Sequence, residues 1–378
     1  MSENSKPPVL VVLQLSGGND FMNTLVPYNN PHYYDARKTI VIPEEDVLPI
    51  NDTLGFNPNL ASFKELYEDG DLAVVQGIGY PNSSRSHFRA MDIWHTCEPD
   101  IVATEGWVGK AIRELDPAKS NVLTGVNFGR GLPRAMAAPG VPVTSVNDLD
   151  NYGLLTGIDS KDDREAALDI FKSMYGPAMG SGPVMDYLAQ TGEDVLRGSD
   201  QLKTVPANYH SDVEYGNSAI AGSLRDVARV HLADLGTRIF YTSQGGYDNH
   251  ATQMPDHPKL LQDLSRAVMD FFQDIKDAGR SEEVIMLIFT EFGRRMRDNG
   301  SGTDHGSGGG AFIIGDRVNG GLYSEYPSID PADWLYGEDL KHTIDFRGIY
   351  GTVLEQWLGV EAAPVVGGSF EQITPFSN

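Results

Sequence analysis

The stretch Val284–Asp316, VIMLIFTEFGRRMRDNGSGTDHGSGGGAFIIGD, constrains the fold more than any other part of the chain. It opens as a continuous apolar run, too poor in polar residues for a surface helix. At Thr290–Glu291 it breaks into charged residues, then passes through a glycine-rich segment carrying Asp304 and His305. A second apolar run, Ala311–Gly315, follows. Two apolar strands flanking a polar loop predict a buried parallel sheet with the loop at its edge. Ligands of such sheets collect outside the carboxyl ends of the strands. A carboxylate at a strand end, followed by an Asp-His pair in a glycine loop, points to metal chemistry.

The rest of the chain alternates in the same way. Val9–Leu15 is an apolar strand ending in SGGND, a turn that delivers Asp20. Further strands are expected at Ile40–Pro43, Leu72–Gln76, Val122–Val126 and Arg238–Thr242. Helices are expected at Leu60–Tyr67, from about Ser84 to Trp94 with Ser84 or Ser86 as N-cap, at Ser218–Leu235 and at His257–Ala278. Strands alternating with helices predict an α/β fold, three layers deep (α/β/α), around a mostly parallel central sheet. One domain over residues 8–360 accounts for the pattern. Within it, 150–217 reads as a mainly helical insertion or cap, with helical stretches around Arg164–Met174 and Val184–Leu196.

Composition narrows the function classes. The 378 residues include 53 acidic and 29 basic side chains, a formal net charge of −24. That balance argues against a nucleic-acid partner, which needs a basic surface. An anionic substrate would therefore need local positive charge to enter. No apolar run approaches the roughly 18 residues of a membrane span. The start, MSENSKPPVLVVLQL, has no basic n-region, twin arginine or small-residue cleavage site, so the chain as written reads as cytoplasmic. A periplasmic or secreted location is the alternative if a Tat-type leader has been removed. Cys97 is the only cysteine, which excludes an intrachain disulfide and leaves the redox compartment open.

Four polar clusters sit at or beyond strand ends: Asp20 in SGGND, Ser86–His87 in RSHF, Asp248–His250 in GGYDNH, and Glu291 with Asp304–His305. Each has an ordinary explanation as a turn, cap or surface loop, but their shared position favours a common site. Carboxylates with imidazoles suit zinc, manganese or iron, and calcium or magnesium if oxygen ligands dominate. One or two such ions would be the cofactor. A serine hydroxyl becomes a competent nucleophile only when a base or metal activates it. Arg85, Arg89, Arg294 and Arg295 lie beside these clusters and could neutralise an oxyanion. No P-loop, dinucleotide fingerprint or G-x-S-x-G elbow is present. Trp94, Trp107 and Trp357 read as core residues. His32, His95, His210, His231, His257 and His342 read as packing or surface residues.

Five ordered motifs, LQLSGGND-x-x-N, SHF-x-A-x-D-I-W, GG-x-D-x-H-x-x-Q, TEFGR and GTDHG, resemble the domain-of-unknown-function 1501 family of the alkaline phosphatase-like superfamily. Sulfatases, phosphodiesterases and cofactor-independent phosphoglycerate mutases are its relatives. The resemblance implies a one- or two-metal site at the carboxyl edge of the sheet. Matched motif by motif, it implies Asp20, Asp248, His250, Glu291, Asp304 and His305 as metal-site residues. It places Ser86 at the nucleophile position; His87 and Arg294 are expected as catalytic residues from their own place in the clusters. Two departures stand out. Phe292 occupies a position where many relatives carry a metal-binding His, which weakens a second ion site unless His87 or Asp304 substitutes. Cys97 lies in C-E-P-D-I, close to the formylglycine signal C-x-P-x-R but without its Arg and past a helix rather than at its start. The expected function is a metal-dependent hydrolase of small anionic phosphate or sulfate esters. The alternatives are a binding protein with a degraded site, or a phosphotransferase or mutase.

Overall fold

The computed structural model describes residues 6–150 and 182–376, with a few isolated positions between them. Its centre is a nine-stranded sheet. Across it run Gly321–Tyr323, Leu72–Gly79, Gly309–Ile314, Val284–Phe289, Val9–Ser16, Ile239–Gly245, Gly125–Phe128 and Thr144–Val146, with Ile344–Asp345 also paired to Leu72–Gly79. The middle strands VLVVLQLS and VIMLIF are almost wholly buried, as expected where helices cover both faces. Val12 pairs with Leu287 on one side and Tyr241 on the other, both parallel.

Alternation along the first strand sends Val9, Val11, Leu13 and Leu15 to one core and Leu10 and Val12 to the other. The first core is closed by apolar residues of the helices Ala61–Glu68, Ala219–Leu232 and Gln253–Asp277, among them Phe63, Leu224, Leu264 and Phe271. The second is closed by His87–Thr96, Trp107–Leu115 and Phe346–Thr352, where Trp94 and Trp107 stack on Phe346 and Tyr350. The architecture is the expected three-layer α/β/α with a mostly parallel sheet.

One expectation fails at the most constraining segment. Gly309–Ile314 runs antiparallel to both neighbours, pairing Phe312 with Ile288 and with Val74. A parallel return needs a crossover element, and residues 290–308 hold only the short antiparallel pair Arg294–Asp298 and Thr303–His305. The chain therefore doubles back beside the strand it has just left. Ile40–Pro43 is not a strand: it passes from turn to extended coil and leads through Pro43 into a 3-10 turn. The strand expected at Val122–Val126 forms as Gly125–Phe128. The helical stretch expected around Arg164–Met174 lies mostly outside the described residues, while Val184–Leu196 falls inside the helix Pro183–Leu202. Among the described residues no helix is long and apolar enough to cross a membrane.

With eight strands running one way and Gly309–Ile314 the other, one edge gathers the turns after Ser16, Gly79, Gly245 and Phe289 and the segment entering Gly309. Every candidate site residue lies in one of these five segments.

Candidate metal centre

Two glycines let these segments meet. Gly17 has φ +120, and a Cβ there would lie 2.5 Å from the backbone nitrogen of Asp248. Gly18 has φ +75, and its Cβ would fall 2.4 Å from the Phe292 ring. Side chains rarely adopt such backbone angles, and neither position has room for one. The segments are then tied by Arg294, which is almost fully buried. Its guanidinium donates to the carbonyls of Gly17, Gly18 (2.7 Å), Tyr247 (2.9 Å) and Thr303 (2.8 Å), and to Asp248 Oδ1 (2.9 Å). The expectation that Arg294 contacts substrate is corrected on this point. Its donors are spent on the scaffold, so it positions the site without facing a ligand.

Three imidazoles converge on one carboxylate oxygen, Asp248 Oδ1. His87 Nε2 lies 3.2 Å from it, His305 Nε2 3.0 Å and His250 Nε2 3.1 Å. The opposite nitrogen of each ring is held by an acceptor. His87 Nδ1 meets Glu291 Oε1 at 2.9 Å, His250 Nδ1 meets Asp304 Oδ1 at 3.1 Å, and His305 Nδ1 meets the Arg85 carbonyl at 2.7 Å. Each acceptor requires a proton on Nδ1, so in the neutral rings the Nε2 lone pairs all face inward. Metal-binding histidines are oriented in this way.

The residues present fit a cation. His250 and His305 bring their Nε2 atoms to 2.8 Å, a repulsive approach for two lone pairs. His87 Nε2 is buried and makes no hydrogen bond. His87, Asp248 and His305 form a metal-capable group whose ligand atoms lie within 4.8 Å of one another, and His250 adjoins it. Three nitrogens and an oxygen suit zinc, manganese or iron better than calcium or magnesium.

Charge is distributed accordingly. Burial opposes the Asp248 charge, but the hydrogen bond and positive charge of Arg294 hold its carboxyl far below the usual range. The Glu291 hydrogen bond, against the effect of burial, raises the His87 imidazole above its ordinary value. Burial lowers that of His305, in spite of the bond from its Nδ1 to the Arg85 carbonyl. Asp304 is lowered by hydrogen bonds from His250 and Asn299, which outweigh burial.

The structure thus joins seven of the nine expected site residues, with altered parts for some. His87 enters the group of inward-facing rings. Glu291 and Asp304 sit behind His87 and His250 rather than facing the centre. Glu291 is fully buried and also accepts from Gly17 N at 2.9 Å. Arg294 is the seventh, in the positioning part already described. Ser86 is exposed at the N-cap of His87–Thr96, and its side chain makes no capping bond. It lies between Arg85, whose carbonyl holds His305, and His87. Asp20 is not brought in. It forms a buried ion pair with Arg37 and accepts from Gln253 Nε2 at 2.5 Å. Gln253 in turn accepts from Thr303 at 2.8 Å, so Asp20 braces the strand that leads to His305.

Phe292, the apolar residue at a ligand position, packs its ring against His87 and His305, with centroids 4.8 and 4.9 Å away. Cys97 is buried at the helix C-cap with its thiol pushed up by burial, which is incompatible with a formylglycine site there. Arg89 is spent on Asp92 and on the carbonyls of Glu98, Pro99 and Ile101. Asp339, which the sequence reading passed over, holds Arg85 at 3.0 Å and Arg295 at 3.5 Å. It lies in an irregular segment with no spacing signal to mark it.

Three of the five motifs, GG-x-D-x-H-x-x-Q, TEFGR and GTDHG, lie between residues 185 and 362. Those residues match the family described as protein of unknown function (DUF1501). The resemblance read from the motifs is thereby supported. No curated protein matches the chain. Among solved structures, the chain is similar to a phosphonate monoester hydrolase of Agrobacterium radiobacter, at 10% identity and TM-score 0.43, covering 96% of this chain and 78% of that one. It is also similar to the sulfatase PsFucS1 from Pseudoalteromonas sp., at 11% and 0.43, covering 97% and 71%. A protein in the alkaline phosphatase superfamily from Vibrio parahaemolyticus matches at 11% and 0.41, covering 99% and 72%.

Proposed function

We propose that this chain is a metal-dependent hydrolase of phosphate or sulfate esters, built on a single cation held by His87, Asp248, His250 and His305. The observation that carries the reading is the set of three imidazoles, each with Nδ1 fixed by an acceptor and Nε2 turned to Asp248 Oδ1. Such an ion supplies Lewis-acid polarisation of an ester oxygen. Ser86 is the nucleophile in this reading. Its hydroxyl is free of capping duty, and it sits at the N-terminus of a ten-residue helix, where exposed N–H groups favour an anion. Asp20 Oδ2 is taken by Arg37 and Gln253, and Glu291 Oε1 by His87 and the Gly17 amide, which favours one ion over two.

A binding protein that keeps the fold is the second reading, supported by Phe292 at a ligand position. One experiment separates the two. The purified chain, loaded with zinc or manganese, is analysed for bound metal and assayed on aryl phosphates, diesters and sulfates. The hydrolase reading expects metal retained by wild type and lost in His305→Ala. It expects Ser86→Ala to keep the metal and lose on the order of 10²-fold or more in turnover. Metal binding without turnover of any ester supports the binding protein. Failure to bind any of these metals sinks both the site and the hydrolase.

A further inference from the structure

Two of the three imidazoles are oriented by acceptors that are themselves held from one place. The acceptor behind His305 is a backbone atom, the Arg85 carbonyl at 2.7 Å. It belongs to residues 80–86, an irregular stretch between Leu72–Gly79 and His87–Thr96. Ties within that stretch are local, Ser84 N to Tyr80 Oη at 2.9 Å and Ser86 N to Ser84 Oγ at 3.3 Å. A carbonyl on such a stretch orients a ring only as firmly as the stretch is anchored. The Arg85 side chain anchors it: Nε lies 3.0 Å from Asp339 Oδ2, and the guanidinium stands over the Tyr336 ring at 5.2 Å. The acceptor behind His250 is Asp304, which lies 3.8 Å from Arg295. Arg295 Nε in turn faces the other Asp339 oxygen at 3.5 Å. One carboxylate thus stands behind both rings.

The surroundings of Asp339 hold it still. Its side chain is 1% exposed, against 35% for Glu338 beside it. The backbone is tied on both flanks, where Met296 N donates to the Glu338 carbonyl at 2.9 Å and Gly308 N to the Leu340 carbonyl at 3.0 Å. Asp339 Oδ1 and Arg295 Nε are both buried, and neither makes a hydrogen bond. A buried carboxylate with an oxygen left short of a partner costs stability. For the scaffold alone, an apolar side chain at this position would serve as well or better.

We propose that Asp339 is a positioning residue of the metal centre, fixing the Arg85 carbonyl behind His305 and, through Arg295, the carboxylate behind His250. This rests on the cation site proposed above and not on ester hydrolysis. The test measures zinc affinity by competition with a chromophoric chelator, and the visible absorption of bound cobalt(II), which reports the number and arrangement of its ligands. The proteins compared are wild type, Asp339→Ala, Arg85→Ala, the double variant and Glu338→Ala. Each of the first two single variants is expected to lose about tenfold or more in zinc affinity and to alter the cobalt spectrum. The double variant should lose little beyond either one, because both break the same tether. Glu338→Ala should stay within about twofold of wild type, as for an exposed ion pair. Charge alone predicts another pattern: loss of Asp339 or Glu338 would weaken cation binding alike, and loss of Arg85 would strengthen it. Tighter zinc binding in Arg85→Ala, wild-type affinity in Asp339→Ala, additive losses, or equal losses in Asp339→Ala and Glu338→Ala would each overturn the proposal, while metal held by wild type leaves the centre intact. If Asp339→Ala does not fold, the direction of the change in Arg85→Ala decides. A wild-type chain that binds neither metal overturns the centre together with its positioning residue.

Discussion

At the scale of single residues, the site depends on acceptors that never face its centre. Glu291 is wholly buried, and its Oε1 holds both His87 Nδ1 and the Gly17 amide. Glu291→Gln keeps the shape but removes the charge that makes the imidazole a stronger donor to a cation. Loss of such a partner weakens metal binding by about 10–100-fold. Competition with a chromophoric chelator should show that loss, while circular dichroism of the metal-free variant stays as in wild type. Equal metal affinity in the two proteins would show that the charge of the carboxylate does not strengthen His87 as a donor to the cation. The sequence identified Glu291, Asp304 and the histidines as donors of the right type, and their strand-end positions placed them together. It could not tell a residue that faces the centre from one that supports it. That distinction lies in which ring nitrogen meets which oxygen, and Glu291 and His87 are 204 positions apart. Phe292 was similarly visible only as a missing ligand. In three dimensions it is the apolar surface on which His87 and His305 rest.

At the scale of elements, the SGGND turn is the most demanding piece. Its motif was legible as a turn that delivers Asp20, yet its constraint comes from the two glycines before that residue. A Cβ at Gly17 would meet the Asp248 amide, a backbone atom with little freedom to move, and its φ of +120 is unfavourable for any side chain. Strain of this kind costs about 1–3 kcal/mol. Gly17→Ala should therefore lower the thermal midpoint by several degrees and, by pushing Asp248 outward, weaken metal retention as well. A variant with wild-type midpoint and metal content would mean the turn is more pliable than its contacts indicate. The strand pattern itself was largely readable, because buried parallel strands are nearly unbroken apolar runs. Direction was not readable. An apolar run such as Gly309–Ile314 carries no sign of which way it points, and its antiparallel placement follows from the lack of a crossover helix between residues 290 and 308. Thr144–Val146, Gly321–Tyr323 and Ile344–Asp345 escaped the reading because two or three residues are too short to show a period.

At the scale of the whole molecule, two opposing effects govern the response to acid. The net charge of −24 favours mild acidification, since protonating surface carboxylates relieves self-repulsion. The buried histidines oppose it. His95 and His231 are each pushed down to about 4 from 6.5, chiefly by burial. His95 Nε2 bonds Gln14 Oε1 at 2.9 Å within the core. Between these two pKa values the unfolded chain binds protons that the folded chain refuses. Stability from these groups is therefore complete above pH 6.5 and falls as pH drops below it. Each histidine contributes a slope of up to about 1.4 kcal/mol per pH unit. Salt decides which effect is seen, because it screens exposed charges and leaves buried ones nearly untouched. In 0.5 M NaCl, the free energy of urea unfolding of the metal-free chain should decline from pH 6.5 to pH 5. In His95→Gln, which can keep a polar contact to Gln14 but cannot titrate, the decline should be shallower by about one histidine's slope. An equal decline in the two proteins would mean that His95 accepts its proton in the folded state, and that the core around Gln14 and Tyr241 admits water.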